Sequence, residues 1–549
     1  MRRILSAIIL SIPLFMSAQS AIDAYTMAQT DLKGTARFVS MAGAFGALGG
    51  DMSAIQQNAG GIGVYRSSDV GLTLSLDMQT TKSETPEISS KMSQTKFNIN
   101  SLGYVGSLKL NSGLMPYFNF GVSYHRPLSF NRRYGGKISN LKSSMTNYVA
   151  SITNSDDCTT DDLEYTVLGN PYEDSYARWL SIMAYNSYII NPIDSYSNGV
   201  GYNFGGLMNK YSSGFSEYEM IEEGGINEFD LNIGGNISNV VYWGLGVGVT
   251  DVNFNKYTYY GEGINNASVL KNKNGERDHK GTASWGLENW LKTSGIGWNF
   301  DFGLIARPYN ELRLGLGFHL PTQLYLKDEA TATINYETVC SDGSFVRSGY
   351  EDANKGYYDV VKYKVCTPWS LNLSAATVVG SKAILSATYE RIEYNAMNLS
   401  FEEMNGSYVE DPYASNDIDV YYKGVNVFRL GAEYRLLPSV SLRLGYAYQS
   451  SPVRKMAIED EMIINTSGTT AAYTFDKATQ YITAGAGFRA GKFYADIAFA
   501  LKMRESEYRA FTPYNMGPSY ETNYKLTPAP SATVRDFNSQ LVCSVGYRF

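Results

Sequence analysis

Beyond its first twenty residues the chain has no uninterrupted apolar stretch approaching the roughly 18 residues that a membrane-crossing helix needs. That excludes a helical inner-membrane protein, and the mean hydropathy of −0.24 agrees. Cysteine is scarce: four in 549 residues is no disulfide framework. Cys543 falls on the apolar face of a terminal strand pattern, Cys158 and Cys340 in loop-like sequence, and Cys366 near a strand start. A Cys340–Cys366 bridge would suit an oxidising compartment, but free or buried thiols are the favoured expectation. Histidine is scarcer still. His125, His279 and His319 lie far apart, and no Cys/His cluster has metal-ligand spacing, so no metal and no cofactor are expected. Acidic and basic residues, 53 and 46, are scattered for a net charge of −7, which leaves no electrostatic footprint for nucleic acid.

What is plentiful is glycine and aromatic residue: 52 Gly, 44 Tyr and 24 Phe, a composition of glycine-broken, aromatic-flanked strands. Met1-Arg-Arg, the apolar run Ile4 to Met16 and the exit Ser17-Ala18-Gln19-Ser20 predict a secretory signal peptide over 1–20, cleaved at about residue 18 to 20. At the other end Leu541, Cys543, Val545, Tyr547 and Phe549 alternate with Val542, Ser544, Gly546 and Arg548, the period of a strand with one apolar face. A terminal Phe549 with Tyr547 two residues before it resembles the signal by which outer-membrane barrels are recognised for insertion.

Fourteen such alternating segments occur, near 68–81, 97–110, 115–127, 226–238, 241–256, 295–308, 310–326, 358–378, 380–393, 421–436, 440–449, 477–490, 492–503 and 534–549. In the seventh, Leu312, Leu314, Leu316, Phe318 and Leu320 share one face and Arg313, Gly315, Gly317 and His319 the other. Periodicity alone does not say which face is inside, because a soluble sandwich alternates too. The joins decide. Even-numbered joins, such as Asn239–Val240, Gly380 and Gly491, are very short, while the odd ones (82–96, 128–225, 257–294, 327–357, 394–420, 450–476, 504–533) are long. Short turns on one side and long loops on the other predict an all-β, transmembrane antiparallel β-barrel of about 14 strands over 68–549, with both termini periplasmic. Within the long loops, 172–190 (around Trp179, Met183 and Tyr188) and 283–292 (around Trp285 and Trp290) read as short amphipathic helices. Their aromatics would either form an apolar vestibule or pack the loops together.

Residues 21–67 do not alternate. They are rich in small residues, with Asp51 a candidate N-cap and Gly60-Gly61 a stop, a composition suited to close packing in a lumen. The order of glycine-rich stretch, Asp51 with nearby Ser and Ala, then Asn58-Ala59-Gly60-Gly61 resembles the hatch of the FadL/TodX transporters, although that family's Asn-Pro-Ala-Gly has Ala59 here in place of proline. The resemblance implies a fourteen-stranded barrel closed by a hatch, gated near Asp51, Asn58, Ala59, Gly60 and Gly61. It also implies lateral passage through a disturbed third strand, where Pro116, Gly121 and Pro127 weaken the ladder. The function so implied is passive outer-membrane transport of hydrophobic or amphipathic small molecules in a Gram-negative cell. Outer-membrane lipid, lipopolysaccharide and the barrel assembly machinery are its expected partners. Inward-facing Arg313, Arg429, Arg435, Arg443 and Arg489 are candidates to hold a solute carboxylate, each favoured instead to neutralise a neighbouring acid. A structural or surface-binding barrel is the alternative and a diffusion pore a third choice. An enzyme is least expected, because a barrel lipase needs an oriented Ser–His pair.

Overall fold

Each alternating segment pairs antiparallel with its neighbours in the computed structural model, which describes residues 19–165, 169–193, 203–271, 276–459, 462–515 and 526–549. The expected leader, 1–20, lies outside the described residues except for Gln19 and Ser20. Fourteen strands form the wall: β1 Asp69–Glu84, β2 Ser89–Lys109, β3 Tyr117–Ser129, β4 Ser213–Ile237, β5 Val241–Leu270, β6 Arg277–Ala306, β7 Leu312–His319, β8 Ser370–Val379, β9 Ala383–Glu393, β10 Gly424–Leu437, β11 Val440–Gln449, β12 Tyr473–Ala490, β13 Phe493–Arg509 and β14 Ser531–Arg548. The ladder from Asp69↔Arg548 to Glu84↔Thr533 joins β1 to β14 and closes the sheet into a barrel.

Apolar side chains face outward. Leu314 is 46 % exposed and Phe428 51 %, whereas Arg443, adjacent to the outward Leu444, is 6 % exposed. The reason is the solvent: lipid accepts Leu and Phe, and a closed wall can turn its polar alternates inward. Tyr547 and Phe549 sit in an aromatic cluster with Phe493 and Tyr104 at the short-turn rim. The Phe549 and Ser68 backbones exchange both hydrogen bonds there, at 3.0 Å.

Three expectations about the long joins need correction. Segment 283–292 is strand, not helix, and 257–294 is not a loop: β5 and β6 run on as one hairpin joined over 271–276. Along β5 the outward residues are Leu245, Val247 and Val249, then Asp251, Asn253 and Asn255, while the inward ones change from Gly246 and Gly248 to Val252 and Phe254. The strand leaves the membrane near Thr250, so its apolar alternates switch faces with no break in the backbone. Residues 327–357 likewise form a hairpin, Gln323–Val339 with Val346–Asp352. Join 128–225 does hold helices, α4 Met145–Ser155, α5 Thr160–Leu163, α6 Pro171–Asp174 and α7 Trp179–Asn186. Their apolar residues Tyr148, Tyr172, Leu180 and Met183 belong to one buried cluster with Tyr260, Trp285 and Phe511; these side chains pack the long joins together. All four cysteines are free, so no Cys340–Cys366 bridge forms.

Candidate functional site

Inside the wall lies the segment 19–67. Ser20 caps α1 (Ala21–Ala28), accepting from Asp23 N while Asp23 accepts from Ser20 N. Thr35 caps α2 (Ala36–Ser40). Asp51 caps α3 (Met52–Gln57), accepting from Ser53 N at 3.0 Å and from Thr35 Oγ1 at 2.8 Å. Burial pushes the Asp51 carboxyl up against the opposing pull of Arg37. Asn58 is 1 % exposed. Its Nδ2 donates to Gly46 O at 2.6 Å and to Leu304 O on β6 at 3.1 Å, and its Oδ1 accepts from Gly60 N at 3.0 Å, starting a 3-10 turn over Ala59–Val64. Asn58 therefore ties the segment both to itself and to the wall.

The wall is shaped to receive this segment. A Cβ at Gly244 would run into Ala59 O, at Gly303 into Asn58 and Gly60, at Gly315 into Gly46 O, and at Gly445 into Met41 and Ala42. Glycine on the inward face of β5, β6, β7 and β11 lets the two backbones touch. Gly60 is small for the same reason, since a Cβ there would meet the Gly303 backbone. Left-handed backbone in this segment falls at Ala42, Gly43, Gly49 and Gly50, with φ of 52°, 73°, 60° and 67°, and not at Gly60 or Gly61. Polar contacts complete the seal: Asn119 to Ile62 O at 2.7 Å, Thr483 to Ser40 O at 3.0 Å, and Ala36 N to Ser544 at 2.7 Å. The described chain begins inside the lumen, where α1 packs on α8 (Pro412–Tyr421) and Tyr25 stacks on Tyr422 at 4.8 Å. Residue 19 is thus at the long-join end, away from the rim that holds Phe549.

The third strand is where the wall is interrupted. β3 pairs with β2 only from Tyr117↔Lys109 to His125↔Ser101; residues 89–100 of β2 pair with β1 alone. On its other side β3 shifts register against β4 between His125 and Leu128. Pro127 sits in that bulge, where it removes a ladder donor. Its carbonyl accepts from Asp31 N of the inner segment at 3.0 Å. Gly121 lies in intact ladder, opposite Val105 and Asn232, and Pro116 precedes the strand, its carbonyl accepting from Leu110 N. Arg126, which the pattern reading passed over, crosses the interruption to Asn98 at 2.6 Å.

The interruption borders a cavity of about 260 Å³ between Met27–Gly34, Phe38 and Gln57 on one side and His125, Arg126, Asp301, His319 and Arg429 on the other. Of the five predicted arginines only Arg429 lines it, and that one is held by Glu390 at 2.5 Å. Arg443 bonds Glu433 and Asp496, each at 2.6 Å, and Arg313 donates to Leu48 O at 2.6 Å. Arg435 and Arg489 are exposed near the short-turn rim. Among the described lining cations Arg126 has no carboxylate partner. Five adjacent strands bring polar residues to one level of this lining, His125 from β3, Glu228 from β4, Thr250 from β5, Asn299 and Asp301 from β6, and His319 from β7, with Asp230 of β4 beside them. His319 Nδ1 lies 2.6 Å from Asp301 and its Nε2 3.1 Å from Gln57 O, so both nitrogens face acceptors.

A family model described as outer membrane protein transport protein (OMPP1/FadL/TodX) matches residues 149–480. No curated protein sequence matches the chain. Similar solved structures include a Pseudomonas aeruginosa FadL homologue, at 12% identity over 95% of this chain and 99% of that one with a TM-score of 0.49. The Pseudomonas putida toluene transporter TodX is similar at 13% identity over 94% and 98%, TM-score 0.43. The Ralstonia pickettii toluene transporter TbuX is similar at 14% over 94% and 99%, TM-score 0.42.

Proposed function

Because this chain belongs to the OMPP1/FadL/TodX family of outer-membrane transport proteins, we propose that it carries hydrophobic or amphipathic small molecules, long-chain fatty acids among them, from the long-join side to the membrane interior. The solute is captured among the long joins, passes to the cavity beside Phe38 and His125, and leaves sideways between β2 and β3. The observation that carries this reading is the unpaired stretch of β2 opening at Arg126 and Pro127 onto that cavity. The cavity is smaller than the roughly 300–1,000 Å³ of ligand sites, so residues 27–34 and 53–60 of the hatch must yield as the solute enters. Apolar burial, at about 25 cal/mol per Å², drives binding, and Arg126 holds a carboxylate where the solute has one. Outer-membrane lipid and lipopolysaccharide surround the wall, and Tyr547 and Phe549 present the last strand to the barrel assembly machinery.

Deleting Pro127 takes out the one extra residue of the bulge, which is also the one without a donor, and lets β3 pair onward with β2. Uptake of a labelled long-chain fatty acid by cells should then fall to the level seen without the protein, while heat-modifiable gel migration reports an intact barrel. Uptake unchanged in the folded deletion variant sinks the lateral route. Uptake equal with and without the wild-type chain sinks transport of that solute class.

A further inference from the structure

We propose that the lumen holds a hard divalent cation, of the calcium class, at Glu228, Asp230 and Asp301. One carboxylate oxygen of each lies within 4.8 Å of those of the other two. Their approach across an intervening strand has a structural cause. β5 presents Gly246 and Gly248 between Asp230 of β4 and the β6 residues Asn299 and Asp301. The missing side chains leave a trough, and the space a Cβ would take on Gly248 is occupied by Glu228 Oε1 and Asn299 Oδ1.

Two further oxygens are in place. Asn299 is 7 % exposed and its Nδ2 donates to Glu228 at 2.6 Å, yet its Oδ1, flanking the same point over Gly248, has no partner. Thr250, 3 % exposed and opposite Glu228 on the inward face, has an unpartnered Oγ1. Buried oxygens without donors are costly. Three carboxylates, an amide oxygen and a hydroxyl are the donor set of calcium rather than of a transition metal.

The charge balance points the same way. Other inward ion clusters match two cations to two acids: Arg132 and Arg504 with Asp476 and Asp536, Arg37 and Arg443 with Glu433 and Asp496, Lys33 and Lys502 with Asp31 and Asp77. Here three acids face two imidazoles, His125 at 2.8 Å from Asp230 and His319 at 2.6 Å from Asp301. His125 is shared with Glu228, 3.7 Å from its Nε2, so even with both rings protonated the cluster keeps one net negative charge. The nearby cations are engaged elsewhere, Arg126 with Asn98 and Asn227, Arg429 with Glu390, Lys33 with Asp77. The cation does not depend on which solute the chain carries.

Isothermal titration of calcium chloride into the full chain, purified in detergent and freed of metal with a chelator, tests this at neutral pH. One saturable site per chain is expected, weakened at least about tenfold in Glu228→Gln and in Asp301→Asn, with magnesium binding more weakly. Thr250→Val, which removes an oxygen without altering charge, should weaken the site too and serves if the carboxylate variants lose heat-modifiable migration. No saturable site in the wild type overturns the proposal. So does a site of equal affinity in all folded variants, which would mark surface acids only.

Discussion

Replacing Asn58 with alanine should loosen the hatch while sparing the barrel. The amide makes three hydrogen bonds, to Gly46 O, Leu304 O and Gly60 N, at a position 1 % exposed. At about 1 kcal/mol net for each, the substitution removes roughly 3 kcal/mol of attachment, or about a hundredfold in the ratio of seated to unseated hatch. None of the three bonds belongs to the strand ladder, so wall pairing should be untouched. Amide hydrogen exchange in detergent reads the effect directly. Peptides covering Gly46 to Val64 should exchange faster by about two orders of magnitude, and those covering β13 and β14 should not change. If exchange of the hatch peptides stays within about threefold of wild type, Asn58 is not the tether its geometry describes. If the wall peptides speed up equally, hatch and wall form one cooperative unit.

The Asp31 carboxyl, pushed up by burial, is held well below the usual carboxylate range by Lys502 and Lys33. Its contribution is complete above the unfolded value of about 3.9 and is lost as pH falls from there through the folded value. Protease resistance of residues 27–34 should therefore persist from neutral pH to about pH 5 and decline progressively below about pH 4; failure above pH 5 would contradict the pairing. Gly303→Val should drive a side chain into Asn58 and Gly60, costing about 1–3 kcal/mol or more, and periplasmic protease should then cut the hatch while gel migration persists. Burial and neighbouring Asp156 push the Cys158 thiol up to about 12, so maleimide at about pH 8 should leave it unmodified until the long joins are denatured.

Strand number and inward-outward assignment were legible because lipid leaves one alternation rule valid along the whole membrane-embedded wall. The rule ends where the strand leaves the bilayer. Above Thr250 the outward positions Asp251 and Asn253 are polar and Val252 and Phe254 turn inward, so the apolar phase slips by one residue and the continuing strand reads as a loop. Trp285 and Leu287 of β6 were misread for the same reason: at a spacing of two they face a buried interior. Asp51 was legible as an N-cap because its capping partners are local, whereas Asn58 stood out only through the family resemblance. The acid cluster was not, since Glu228, Thr250, Asn299 and His319 meet only through the registers of four strands. Searching for metal-ligand spacing along the chain cannot find ligands assembled across a sheet.

The glycines at 244, 303, 315 and 445 that seat the hatch belong to four different strands, and the ladder between β1 and β14 closes only when the C-terminal residues have arrived. The portion synthesised first is thus the portion whose resting place exists last. During passage across the periplasm residues 21–67 must wait without their grooves, through contacts whose sequence separation nearly spans the chain. Such long-range closure is slow, which makes a short, small-residue, weakly apolar leading segment advantageous, because it offers little for aggregation during the delay. The order of assembly, as much as the fit of the finished plug, accounts for its composition.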